Sequence, residues 1–329
     1  MTAIESIRSR FLSHPGLAAK AALRIVPGLL GPTDWVGGPG DDTAAIPFDG
    51  GYLLAAGEAM FPPFVAADPY GAGVASVVAN VNDVAAMGGR VVALANTVVG
   101  PEAQLREALR GMRFACDLYG VPMVGGHLSV WDGPASVSAF IVGRASTLLS
   151  SRHAAPGQVI LAAFCLEGRA RGDFPYFSSV AARGAELAGD VGVLPAVAEA
   201  GSCVAAKDVS MAGLLGSLAM LLEATGAGAV VDLACVPVPE GVGLEPWLFT
   251  FPTFGFLLCS PPSRAGDCRD AFHARGLACE VIGTIEAGGR LRVRLGADEA
   301  TVLDLATATV TGLGMDAHLD EEVGRKSSQ

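Results

Sequence analysis

The chain has 329 residues, is 51% hydrophobic and only 17% charged, and carries a formal net charge of −11. That length suggests roughly two domains at about 150 residues each, enough to bury sizeable cores. The basic residues are dispersed, with no run longer than Arg325-Lys326, and this excludes a nucleic-acid surface, which needs clustered Lys and Arg.

Residues 4 to 30 carry Ile4, Ile7, Phe11 and Leu12, then Leu17, Leu23, Ile25 and Val26, a spacing that predicts two short amphipathic helices split near His14-Pro15-Gly16. A glycine-rich approach (Gly37, Gly38, Pro39, Gly40) leads to Asp41-Asp42, and an apolar run begins just after. The run 44–48 and Tyr52–Ala56 read as two strands paired across Asp49-Gly50-Gly51. Successive side chains of a strand point to opposite faces, so at most one of Asp41 and Asp42 faces a core. Adjacent carboxylates repel, and burying one unpaired is costly. A divalent cation with a taste for hard oxygen ligands removes both problems. The alternative is an ordinary turn, since Gly and Asp are common turn residues.

Glu58 follows at the end of the second strand, and a Pro-broken loop leads to Asp68-Pro69-Tyr70. From Gly71 to Met87 the pattern is helical and apolar, interrupted by Asn80, Asn82 and Asp83. Three polar groups near the end of a buried helix need partners. A strand at 91–98, a helix at Glu102–Tyr119, a short strand at 121–124 ending in Gly125-Gly126-His127, and a strand at 137–142 complete the first unit. Its order is that of an α/β or α+β domain.

A second unit starts with a strand at 159–163 and continues through a polar, aromatic loop holding Arg169, Arg171, Asp173, Phe174, Tyr176 and Phe177. A helix at 193–200 precedes Lys207-Asp208-Val209-Ser210, which opens a long helix at Gly213–Glu223. The stretch Met211 to Val231, broken by Glu223 and by glycines, falls short of a membrane span and reads as a buried helix. Strands near 229–233, 254–259 and 280–285 follow, with a helix at 264–275 before the last. Units at 1–150 and 151–315, with a flexible tail at 316–329, are the expected organisation. Seven widely spaced cysteines without a C-x-x-C pair indicate neither a zinc site nor a disulfide framework. A reduced cytoplasm fits them, and no signal-peptide pattern opens the chain.

The acidic motifs share an order with a known superfamily. Gly40-Asp41-Asp42-Thr43-Ala44-Ala45, Asp68-Pro69-Tyr70 and Asn80 to Gly89 resemble the N-terminal half of selenophosphate synthetase and thiamine-monophosphate kinase. Val124-Gly125-Gly126-His127 resembles the former's glycine-glycine-histidine, and Lys207 to Gly216 resembles the Asp-Ile-Ser/Thr-x-x-Gly-Leu signature of the AIR synthase superfamily. The forms Arg171 to Pro175 and Lys-Asp-Val-Ser-Met-Ala-Gly resemble its AIR synthase-related branch.

The resemblance implies a two-domain α/β fold and a homodimer whose N-terminal strands form a shared barrel. It also implies ATP near that interface and Mg²⁺ held by scattered carboxylates. Carried over by motif, Asp42, Glu58, Asp83 and Asp208 are the metal ligands, and Gly40, Asp41, Asn80, Gly125 and Gly126 approach the nucleotide. His127 has three readings: a phosphate ligand, a proton shuttle or a turn cap. Lys207 either pairs with Asp208 or touches a phosphate. Arg169 and Arg171 are either ligands of an anionic substrate or solvated loop residues. The departures are informative too. The first cysteine is Cys116, and Lys20 lies in a predicted helix without the glycine-rich context of selenophosphate synthetases, so selenide chemistry is unsupported. Gly-Gly-His-Leu and Asp-Val-Ser-Met-Ala-Gly likewise depart from the thiamine-monophosphate kinase pattern. The expected function is ATP- and Mg²⁺-dependent phosphoryl transfer to a small molecule, the alternative being an ATP-binding, non-catalytic partner subunit of a biosynthetic assembly.

Overall fold

The structure, a computed structural model, describes residues 2–30, 40–172 and 174–314. The expectations for Gly37 to Pro39, for Asp173 and for a flexible tail at 316–329 lie outside the described residues. In the first unit the helices are α1 (Ala3–Leu12), α2 (Pro15–Lys20), α3 (Ile25–Leu30), α4 (Pro62–Ala67), α5 (Pro69–Ala86) and α6 (Glu102–Tyr119). Its strands are β1 (Ala44–Phe48), β2 (Gly51–Ala59), β3 (Arg90–Gly100), β4 (Met123–Val130) and β5 (Ser136–Ala145). The second unit adds β6 (Val159–Phe164), β7 (Arg169–Ala170), β8 (Tyr176–Ser178), α7 (Val180–Arg183), α8 (Glu186–Val191), α9 (Val193–Glu199) and β9 (Ala205–Asp208). It continues with α10 (Gly213–Glu223), β10 (Gly228–Asp232), α11 (Leu244–Leu248), β11 (Phe251–Pro252) and β12 (Gly255–Ser260). It ends with α12 (Ala265–His273), β13 (Ala278–Glu286), β14 (Arg290–Leu295) and β15 (Asp298–Asp304).

The hairpin β1–β2 turns on Asp49 and Gly50, whose φ angles of 50° and 75° give the twist that two-residue hairpin loops require. Its register pairs Ala45 with Leu54 and Ile46 with Leu53. The five N-terminal strands lie in the order β1-β2-β5-β3-β4, and the second unit builds a seven-stranded sheet, β15-β14-β10-β13-β6-β12-β9. The barrel expected of the N-terminal strands is therefore not closed within one chain. They form an open sheet, because β1 and β4 lie at opposite edges and do not pair.

On one face of that sheet, Leu54, Val137, Ala139 and Ile141 bury against Val77, Val81 and Val84 of α5. α5 in turn lies hard against α6. A Cβ on Gly73 would stand 2.0 Å from the Ala108 carbonyl oxygen, and one on Gly111 2.1 Å from that of Tyr70. Only glycine permits that backbone approach. α5 thus sits between the sheet, α6 and, through Ala85 and Ala86, a third buried cluster shared with Leu161, Leu194 and Phe254 of the second unit.

Ile4, Ile7 and Phe11 of α1 belong to the buried cluster of the second unit with Leu218, Leu291 and Val302. Six strands, β7, β8, β9, β11, β14 and β15, were not expected, nor was the extension of β4 through Val130; β9 carries Asp208, which the sequence reading placed at the opening of a helix. Glu223, which interrupts an apolar run in the sequence, is an anchor. Its buried carboxylate accepts from the backbone N–H of Val310 (2.7 Å), Thr311 (2.9 Å) and Gly312 (3.2 Å) and from the Thr311 hydroxyl (2.6 Å).

Because the Gly111 contact is backbone against backbone, Gly111→Val must push α6 off α5. Overpacking of this kind costs about 1–3 kcal/mol, to be read as a lower urea midpoint with an unchanged slope. An unaltered midpoint would show that the helices separate freely.

Candidate functional site

Asp42 stands just ahead of β1, Asp83 in the last turn of α5, and Asp208 at the end of β9. One carboxylate oxygen from each lies within 4.8 Å of the other two. The Lys207 ammonium donates to Asp42 Oδ1 and lies 3.6 Å from Asp208 Oδ1. The Asp208 backbone N–H donates to Asp42 Oδ2 at 3.1 Å. Asp83, Lys207 and Asp208 are all buried.

The electrostatics follow from that crowding. Burial raises Asp83 well above the usual carboxylate range, and the charges of Asp208, Glu58 and Asp42 push it further. Burial brings Asp208 up to about 7, with Asp42 adding to the rise and Lys207 and Lys20 opposing it. For Lys207, burial works against the charge, but Asp42 and Asp208 outweigh it and hold the ammonium protonated above its ordinary range. Glu58 is raised by burial, opposed by Lys20. It lies four residues beyond the buried Leu54 on β2, hence on the inner face of the sheet.

The adjacent carboxylates diverge. Asp42 joins the cluster, whereas Asp41 accepts from Ser150 Oγ at 2.5 Å, from the Ser151 N–H at 2.8 Å and from the Ser151 hydroxyl. Both Asp41 oxygens are thereby used to pin the acidic turn to the start of the second unit. Gly40 enters the turn at φ 115°, a conformation that favours glycine. Asn80 donates to the carbonyls of Ser76 (2.8 Å) and Ala139 (3.1 Å), fixing α5 on β5.

Other expected site residues lie elsewhere in the chain. Gly125, Gly126 and His127 are on the edge strand β4, three strands from β2. His127 is exposed there, with Nε2 3.0 Å from Ser129 Oγ. Arg171 pairs with Asp68 (2.9 Å) and lies over the Phe64 ring at 5.4 Å. Asp68 caps the start of α5, so this contact sits about 22 Å along the helix from Asp83. Arg169 is exposed on β7.

Lys20 was passed over in the sequence for want of a glycine-rich context. Its charge nevertheless acts on Glu58 and Asp208. α2 is seated where a Cβ on Gly16 would meet Met211 at 2.8 Å and Ala212 at 3.2 Å, and Lys20 follows four residues on, along the same helix face. No spacing in the sequence brings these segments together.

Among the described residues, Thr43 Oγ1, Asn80 Oδ1, Asn82 Oδ1 and Asp83 Oδ2 are buried without a hydrogen-bond partner. Three of them fall within one turn of α5 and the fourth is next to Asp42. A cluster of carboxylate oxygens with an unsatisfied member suits a hard divalent cation such as Mg²⁺.

Residues 40–145 match the N-terminal domain, and residues 169–296 the C-terminal domain, of AIR synthase related protein. The chain belongs to this family. It is 37% identical over 281 residues to an uncharacterized protein of Synechocystis, covering 84% of this chain and 87% of that one. An uncharacterized protein of Methanocaldococcus jannaschii is 31% identical over 249 residues, covering 73% and 76%. The fold resembles that of T. maritima PurL complexed with ADP, with a TM-score of 0.70 and 22% identity over 82% of this chain. The match spans about half of that protein, 46%. It also resembles AaThiL complexed with AMPPCP and TMP (TM-score 0.65, 18% identity, 84% of this chain and 94% of that one). A HypE-HypF complex gives a TM-score of 0.64 at 18% identity, covering 80% and 93%.

Lys207 is the cation that offsets three converging acids, so Lys207→Met leaves their repulsion uncompensated. Removing one member of a buried charge set costs about 3–5 kcal/mol. The variant is expected to melt well below the wild type without metal and to gain more than the wild type from added Mg²⁺ in a thermal-shift assay. Equal Mg²⁺ gains in both proteins would rule out this role for Lys207.

Proposed function

We propose that the protein is an ATP- and Mg²⁺-dependent phosphoryl-transfer enzyme, a kinase or synthetase acting on a small molecule. The observation that carries this reading is the convergence of Asp42, Asp83 and Asp208, from both units of the chain, on one buried point with Asp83 Oδ2 unsatisfied. The bound nucleotides in the PurL and ThiL structures named above, ADP and AMPPCP, support it.

Asp42, Asp83 and Asp208 would hold the metal, with Glu58 beside them; the ion would neutralise charge on the nucleotide phosphates. Lys207 and Lys20 supply positive charge for the same phosphates, and Gly40 lets the backbone approach them. Asn80 keeps the helix that carries Asp83 in place. Catalysis in such a site comes from positioning and electrostatics rather than from a protein nucleophile. Arg169, exposed at the rim of the second unit, is the remaining candidate for an anionic substrate.

We further propose a homodimer formed on the uncovered face and edge of the N-terminal sheet. Phe140 (49% exposed) and Val142 point away from α5, and β4 exposes Val124 (69%) and Leu128 (50%) along an edge that no other described strand pairs with. Long apolar edge strands invite pairing with another chain. His127, Gly125 and Gly126 lie on this edge strand and would join the nucleotide site from it. One observation favours the non-catalytic reading instead: HypE, of similar fold, was solved in complex with another protein, HypF.

The test is ADP release from ATP by the purified protein, with and without Mg²⁺, in the presence of a small-molecule extract. Turnover that needs Mg²⁺ and falls more than about 100-fold in a normally folded Asp83→Asn variant (about 2.7 kcal/mol of barrier) is the expected result. Tight ATP binding without turnover would favour the partner-subunit reading, and no binding would defeat both. For the dimer, Phe140→Glu is expected to yield monomers in sedimentation experiments. A wild-type protein that sediments as a monomer, or a variant that stays dimeric, would exclude this face.

A further inference from the structure

Asn82 is buried, and its side-chain amide leaves its own unit to donate to the backbone carbonyl of Thr253 at 3.0 Å. Thr253 is itself held on several sides. Its N–H donates to Phe177 O at 2.9 Å, its hydroxyl accepts from the Ser179 N–H at 3.0 Å, and Tyr176 Oη lies 2.6 Å from that hydroxyl. The acceptor is therefore a fixed point of the second unit.

Two residues further on, Gly255 O accepts from the Val209 N–H at 2.8 Å, and in the β12–β9 ladder Phe256 stands opposite Asp208. A short path results, running from Asp83 to Asn82, across to Thr253, along the backbone to Gly255, across to Val209 and on to Asp208. Every covalent step in it is one or two residues long. On α5, at about 100° per residue, Asp83 lies in the arc between Asn80, which grips β5 of its own sheet, and Asn82, which grips the second unit. The two amides together fix the rotation of the helix about its axis.

We propose that Asn82 is a positioning residue that sets the separation of Asp83 from Asp208, and with it the affinity of the acidic cluster for a divalent cation. The inference rests on the metal reading given above and assigns that reading a residue which touches no ligand. Removing outer groups that orient metal ligands typically costs 10–100-fold in metal affinity.

The test is the affinity of the purified full chain for Mn²⁺ alone, followed by electron paramagnetic resonance, alongside thermal melting. Three variants are compared: Asn82→Leu, which keeps the approximate shape and loses the donor; Asn82→Ser, smaller and able to donate; and Asp83→Asn. The expected result is that Asn82→Leu weakens Mn²⁺ binding at least 10-fold while remaining folded at the assay temperature, with Asn82→Ser intermediate. If Asn82→Leu lowers only the melting temperature and leaves the Mn²⁺ dissociation constant unchanged, the amide is a packing element and the proposal fails. Should Asn82→Leu not fold, Asn82→Ser decides: wild-type affinity overturns the proposal, and a loss of several-fold supports it. Asp83→Asn separates the two levels. If it binds Mn²⁺ as the wild type does, or if the wild type binds none, the metal reading falls and takes this one with it. If it loses binding while both Asn82 variants keep theirs, only the role of Asn82 is refuted.

Discussion

The constraint that shapes this molecule is the repulsion among three carboxylates brought within 4.8 Å of one another in a buried place. At that separation and an effective dielectric of about 20, each ionised pair opposes assembly by about 3–4 kcal/mol. Lys207 offsets part of this, since its ammonium lies against Asp42 and within 3.6 Å of Asp208. The remainder adds to burial, the larger cause, in raising Asp83 and Asp208 above the ordinary carboxylate range. Such an arrangement persists only where the surrounding structure holds it.

Several features of the chain serve that end. Gly73 and Gly111 let α5 lie close against α6, so the helix carrying Asp83 has little room to recoil. Asn80 fastens it to its own sheet and Asn82 to the other unit. Asp41 and the two serines it grips secure the turn that delivers Asp42. The Ala- and Gly-rich composition thus acquires a local meaning, since small residues let backbones approach and place polar groups with little slack.

Much of this was legible in the sequence. The hairpin followed from Asp49-Gly50 between apolar runs, and α5 from its apolar period. Asp83 stood out because an acid in a buried helix needs a reason and Asp42 because it adjoins a second carboxylate, whereas Asp208 came only with the resemblance of its motif. What was not legible depended on long-range packing. Asp41 and Asp42 are equivalent by composition; only the position of Ser150 and Ser151, about 110 residues on, distinguishes them. The charge of Lys20 acts on the acids because α2 docks on Met211 and Ala212, a contact no periodicity announces. Arg171 carried the right chemistry for an anion, yet Asp68 and Phe64 claim it. β14 was a plain miss, since Arg290-Leu291-Arg292-Val293-Arg294-Leu295 alternates strictly and buries Leu291 and Val293.

The distribution of the acids over the two units has a consequence for their relative placement. Asp83 belongs to one unit and Asp208 to the other, so any cation or polyphosphate bound between them stabilises one orientation of the units by mass action. The apolar contacts of Ala85 and Ala86 with Leu194 and Phe254 already favour that orientation without a ligand, while the repulsion of the acids works against it. The junction therefore carries opposing terms side by side: hydrophobic burial and a directional amide hold it shut, and like charges press it open. A cation held by Asp83 and Asp208 would remove the charge term and bridge the junction at the same point.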